Sequence, residues 1–161
     1  MDIVGHRVDL GPLLLHFGKS AEMLDIIVSD SLVCSDYIEL LESCPDLTSL
    51  RLELYDQEFP FEVLRVFPMA LASSPLISVP RLDFFCHHHL PYERLLDALT
   101  GLGGDTVEEA TFTWVRRGLE KCTPERRENI QGFCNGNAEF NEARDTLAVR
   151  GIVLNARIRG E

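Results

Sequence analysis

Apolar positions along this chain switch repeatedly between two periods. The stretch SCPDLTSLRLEL ends in strict alternation, with Leu50, Leu52 and Leu54 separated by Arg51 and Glu53. Period two sends every second side chain to the same side, so this stretch predicts a strand with one buried face. Thirty residues on, SSPLISVPRLDF repeats the pattern, with Leu47, Leu50, Leu52 and Leu54 falling on Ile77, Pro80, Leu82 and Phe84. A further step of 30 reaches Val107, Ala110, Phe112 and Trp114, and a step back of 26 reaches Ala21, Leu24, Ile26 and Val28. Charges repeat as well: Arg51-Leu52-Glu53 becomes Arg81-Leu82-Asp83.

Between these stretches the apolar spacing is helical. Residues 35–43 carry Tyr37, Ile38, Leu40 and Leu41; 61–73 carry Val63, Leu64, Val66, Phe67 and Leu71; 91–103 carry Tyr92, Leu95, Leu96, Leu99 and Leu102. Pro68 is expected to kink the second helix, and Pro91 suits the first turn of the third. Gly101, Gly103 and Gly104 are placed to end the third. Pro80 has no N–H to give to a ladder, so its strand is expected to start late or to bulge. A strand–helix unit repeated about every 30 residues cannot bury its own apolar side, and stacking such units makes one continuous core. The predicted fold is thus an α/β solenoid, parallel strands alternating with helices over residues 21–117. The competing reading is a two-layer α/β domain whose alternation only looks repetitive.

The pattern changes near residue 118. Thr123 and Pro124 open a helix that Gly136 ends, Asn137 caps a second over residues 138–149, and Gly151 breaks it. IVLNARI (152–158) then predicts a closing strand with Ile152, Leu154 and Ala156 on one side. Residues 118–161 read as a helical C-terminal cap of a single repeat domain. Residues 1–20, with Ile3, Val4, Val8, Leu10 and the run Leu13-Leu14-Leu15, read as a partial repeat. Its open apolar edge predicts pairing, or continuation into a longer protein.

Composition narrows the function. The chain has 161 residues, 45% hydrophobic and 25% charged, ordinary for a globular domain. Its net charge of −11 opposes nonspecific nucleic-acid binding and anionic membranes and admits a basic or mixed-charge protein partner. No apolar run approaches the roughly 18 residues of a span, and the acidic start does not read as a signal peptide. The five cysteines are irregularly spaced without C-x-x-C, so reduced thiols acting as small buried hydrophobes are expected, with a cytoplasmic or nuclear location.

The spacing Leu47, Leu50, Leu52 resembles the L-x-x-L-x-L core of leucine-rich repeats. LESCPDLTSLRLEL resembles the degenerate repeats of fungal F-box proteins, and TLAVRGIVL (146–154) is similar to their tails. The resemblance spans about residues 20 to 158. It implies a leucine-rich-repeat-like solenoid that recognises substrates for a ubiquitin ligase. The usual Asn or Cys after the last consensus leucine is missing: Ser29, Tyr55, Phe85 and Val115 stand there. The F-box itself has no counterpart in this sequence.

In such a sheet Arg51 and Glu53 point away from the core. The 30-residue register builds two columns of candidate contacts: Asp25, Arg51, Arg81, Thr111, and Ile27, Glu53, Asp83, Thr113. Like charges would stand side by side at a cost of a few tenths to about 1 kcal/mol, unless diagonal pairs such as Arg51 with Asp83 relieve them. The bland alternative is a self-neutralising solvated face. Trp114 is either a core filler or an interface anchor. Cys86-His87-His88-His89 reads as a loop on the rim, with His87 and His88 as further contacts. Adjacent histidines diverge, so no metal or cofactor is expected. There is no G-x-S-x-G and no phosphate loop, and Cys86 beside His87 is a poor nucleophile–base geometry. The expected role is noncatalytic protein recognition. The alternatives are a scaffold unrelated to ubiquitin, or a small metal-dependent or cysteine enzyme.

Overall fold

The computed structural model describes residues 2–4, 22–27, 41–54, 79–87, 92–100 and 105–160. The strands are β1 (Asp2–Val4), within the expected partial repeat, and, from the alternating stretches, β2 (Met23–Ile27), β3 (Ser49–Leu54), β4 (Arg81–Cys86), β5 (Glu109–Val115) and β6 (Val153–Arg159). They make one sheet in the order β1-β2-β3-β4-β5-β6, and every neighbouring pair is parallel. Each strand therefore lies beside the one that precedes it in the chain. The helices are α1 (Tyr92–Leu99), α2 (Arg116–Leu119), α3 (Pro124–Cys134) and α4 (Ala138–Val149). Of the helix expected at 35–43, Leu41 and Glu42 are helical. The helix expected over 61–73 and the glycines at 101, 103 and 104 lie outside the described residues, as do residues 5–21.

The register departs from the 30-residue repeat. Leu24 pairs with Leu50, the expected step of 26. Leu50, however, pairs with Leu82, a step of 32, and Leu82 with Ala110, a step of 28. The two departures cancel, so Leu50 and Ala110 stay 60 residues apart. Pro80 supplies the reason. A step of 30 would put a residue without an N–H opposite Leu50. Instead β4 starts at Arg81, whose N–H donates to the Thr48 carbonyl at 3.0 Å. Pro80 uses only its carbonyl, which accepts from the N–H groups of Glu108 and Glu109 at 3.0 and 2.9 Å. Val79, not Ile77, then takes the buried place before the strand that Leu47 and Val107 hold in their units.

Alternate strand positions enter one core cluster: Leu50 and Leu52 from β3, Leu82 and Phe84 from β4, Ala110, Phe112 and Trp114 from β5. Helices contribute Tyr92, Leu96, Leu99, Ile130, Phe133 and Leu147 to the same cluster. Each fully buried large side chain favours folding by about 1.5–3 kcal/mol. Trp114 settles its two readings in favour of the core. It is fully buried, edge-on to Tyr92 with centroids 5.3 Å apart and stacked on Phe112 at 6.1 Å.

The C-terminal helices follow their local signals closely. Thr123 accepts a hydrogen bond from the Arg126 N–H, Pro124 opens α3, and Asn137 accepts from the Phe140 N–H to cap α4. Both helices end in the same way. Gly136 has φ 81° and Gly151 φ 80°. Asn137 N–H reaches the Gly132 carbonyl, and Ile152 N–H reaches that of Leu147. These are Schellman endings, where a left-handed glycine costs least. The second turns the chain straight into β6.

Candidate functional site: the polar face of the sheet

From β2 to β6 the odd-numbered strand positions alternate with those that enter the core cluster, and they form three rows. The first is Met23, Ser49, Arg81, Glu109, Val153. The second is Asp25, Arg51, Asp83, Thr111, Asn155, and the third Ile27, Glu53, Phe85, Thr113, Arg157. This corrects the expected columns. Asp83, not Arg81, stands beside Arg51, and Phe85, not Asp83, stands beside Glu53. The shift of β4 by two residues removes both like-charge contacts. Asp25, Ile27 and Glu53 keep their expected places in the ladder; their side chains lie outside the described residues, as do His88 and His89.

Several of the described side chains on this face lock onto one another. Thr113 Oγ1 donates to Asp83 Oδ1 at 3.0 Å and accepts from Arg157 Nε at 3.1 Å. Arg157 also reaches Asp83 Oδ2 at 3.3 Å, closing a triangle across three strands. Thr113 is consequently buried, which its hydroxyl tolerates because it both donates and accepts. It is a support within the face, not the contact residue that the sequence suggested. Next to the triangle, the Arg51 guanidinium lies over the Phe85 ring, 5.1 Å from its centroid. Such a cation–π contact is worth about 0.5–1 kcal/mol at an exposed site. Asn155 of the second row donates to Glu109 of the first at 2.8 Å.

Phe85, Asn155 and Arg157 are the residues that sequence reasoning missed. Phe85 interrupts the polar alternation of β4, a signal that was readable. Asn155 and Arg157 continue the period-two pattern into the closing strand and belong to the same rows. Met23 and Val153, 56% and 59% exposed, add apolar patches at either side of the first row. The face thus mixes charge of both signs with exposed apolar surface.

The Cys86-to-His89 run divides. Cys86 is the last residue of β4, not part of a loop, and its buried thiol donates to the Phe84 carbonyl. His87, half-buried, follows it. Among the described residues no three His, Cys, Asp or Glu side chains converge as a metal would need, and no helix is long and apolar enough to cross a membrane.

Burial is also the first cause of the raised thiol pKa of Cys86, followed by the Asp83 carboxylate. Burial pushes Cys134 up to about 11. Tyr92 is raised by burial and then by Glu139 and Glu93. All three groups are neutral in the fold and hold their protons more tightly than in the unfolded chain. Their contribution is therefore complete below the ordinary thiol value of 9.0 and is lost as pH rises toward the folded values. The urea midpoint is expected to fall between pH 9 and about 11. An unchanged midpoint across that window would contradict the burial of these groups.

Comparison with family models, with characterised proteins and with solved structures finds no match for the chain.

Proposed function

We propose that this chain recognises a protein partner through the polar face of its sheet, without chemistry of its own. On this reading the stacked units are a leucine-rich-repeat-like solenoid, the substrate-binding part of an F-box-type ubiquitin-ligase receptor. The observation that carries the recognition reading is the locked face itself. Arg51 over Phe85, beside the Asp83–Thr113–Arg157 triangle, is fixed before any partner arrives. Little side-chain freedom then remains to be lost on docking. Aromatic and arginine side chains are also the types that dominate binding energy at interfaces. The ubiquitin connection rests on the resemblance of residues 41–54 and 146–154 to F-box-protein repeats and tails.

A photo-crosslinking amino acid tests the face directly. Placed at Thr111, in the middle of the second row, it is expected to yield a discrete adduct in cell extract. Placed at Glu128, on the exposed side of α3, it is expected to yield none. The Thr111 adduct should vanish in the Arg51→Ala/Phe85→Ala variant. Adducts from Glu128 alone would move recognition to the helices. Ubiquitylation of the crosslinked partner, dependent on this chain, separates a ligase receptor from a plain scaffold.

A further inference from the structure

The helical side of the molecule carries a second concave feature. A cleft of about 260 Å³ opens between α1 and α4. Leu96, Ala143 and Leu147 form an apolar floor, while Glu93 and Asp97 on one wall face Glu139 and Glu142 on the other. Two of these carboxylates are engaged: Glu93 pairs with Arg126 at 2.9 Å, and Glu139 accepts from the Tyr92 hydroxyl at 3.3 Å. Asp97 and Glu142 are exposed, and among the described residues their carboxylates have no hydrogen bond or ion pair.

We propose that this cleft docks a basic peptide segment, which inserts one arginine or lysine side chain between Asp97 and Glu142. Size favours a single long side chain, because the volume falls below the roughly 300–1,000 Å³ of small-molecule sites. An apolar stem and a charged head match the apolar floor and the acidic rim. Charge of one sign on both walls selects a cation and rejects acidic partners. A bare metal ion is a poor fit, since no three carboxylates converge there. The molecule itself shows how a guanidinium seats beside this cleft: Arg126 lies on Glu93 with its guanidinium 5.0 Å from the Tyr92 ring centroid. The net charge of −11 draws basic segments toward the whole chain. This site is separate from the sheet face and does not rest on the proposal made for it.

The probe is a fluorescent peptide of alternating arginine and leucine, followed by anisotropy, with a glutamate–leucine counterpart. The arginine peptide is expected to bind saturably and the glutamate peptide not at all. Asp97→Asn/Glu142→Gln should weaken binding at least about fivefold, from two exposed charge pairs of up to about 1 kcal/mol each. These isosteric changes at exposed positions leave the core untouched. The control Glu125→Gln/Glu128→Gln removes the same charge from α3 and should change affinity less than about twofold. Arg51→Ala/Phe85→Ala should leave peptide binding unaltered, which keeps this result distinct from that of the sheet face. Equal weakening by both acidic-residue variants would show general charge attraction alone and overturn the site. So would an absence of saturable binding by the parent chain.

Discussion

Replacing Trp114 with alanine is expected to lower unfolding free energy by about 3–5 kcal/mol. That is a large share of the about 5–15 kcal/mol that holds a typical domain together. The side chain is fully buried where the sheet, α1 and α3 meet. Tyr92, Phe112 and Phe133 all approach it, with ring centroids 5.3, 6.1 and 6.3 Å away. Alanine would leave a cavity that three rigid rings cannot collapse into. Phenylalanine should behave differently. Among the described residues the buried indole N–H has no hydrogen-bond partner, and such a group carries a desolvation penalty of about 1–3 kcal/mol. Trp114→Phe loses volume but also removes that penalty, so a net cost under about 1.5 kcal/mol is expected. Urea unfolding followed by far-ultraviolet circular dichroism measures both. Equal losses in the two variants would show that the N–H has a partner and that the tight aromatic packing is not the source of the stability.

The second large effect is at Asp83, where even the sign is informative. In a 30-residue register Asp83 would face Glu53, and its removal would relieve repulsion and stabilise the chain. In the observed register Asp83 accepts from buried Thr113 and from Arg157. Asp83→Ala strands the Thr113 hydroxyl and is expected to destabilise by about 1–3 kcal/mol. The Arg157 ion pair adds little, because that side chain is 55% exposed. Once Thr113 is valine, removing Asp83 should cost much less. A double-mutant cycle should return a coupling of at least about 0.5 kcal/mol, whereas independent sites add within about 0.3–0.5 kcal/mol. Additive losses, or a stabilising Asp83→Ala, would break the triangle and with it the register.

The strands were legible because alternation is local. Leu50-Arg51-Leu52 and Phe112-Thr113-Trp114 announce a strand whatever lies beside them. The caps were legible for the same reason. Thr123 with Pro124, Asn137, and the glycines at 136 and 151 each act on a neighbouring turn, and each sits where its own backbone needs it. The late start of β4 could also be read from Pro80. What it entails was harder to see, because moving one strand by two residues keeps its apolar face buried. Hydrophobic pattern cannot distinguish Leu50 from Leu52 as the partner of Leu82.

The candidate face shows the same division. Its side chains could be assigned to the side away from the core by counting alternate positions, and Arg51 was found in that way. Arg157 was not, since 74 residues separate it from Asp83 and no local rule connects them. Thr113 was assigned as a free contact, and it became a buried support only once β6 brought a guanidinium against it.

By itself, then, the sequence determined which stretches alternate as strands, where the two C-terminal helices are capped, and which side of those strands is apolar. Those properties depend on dihedral preference, capping and burial within a few residues. The tertiary structure alone decided which residues stand side by side. That choice depends on backbone groups distant in sequence finding partners at once: the Arg81 N–H with the Thr48 carbonyl, the Glu108 and Glu109 N–H groups with that of Pro80. With Pro80 lacking an N–H, the strand starts at Arg81, and that start places Asp83 against Arg51 and Thr113.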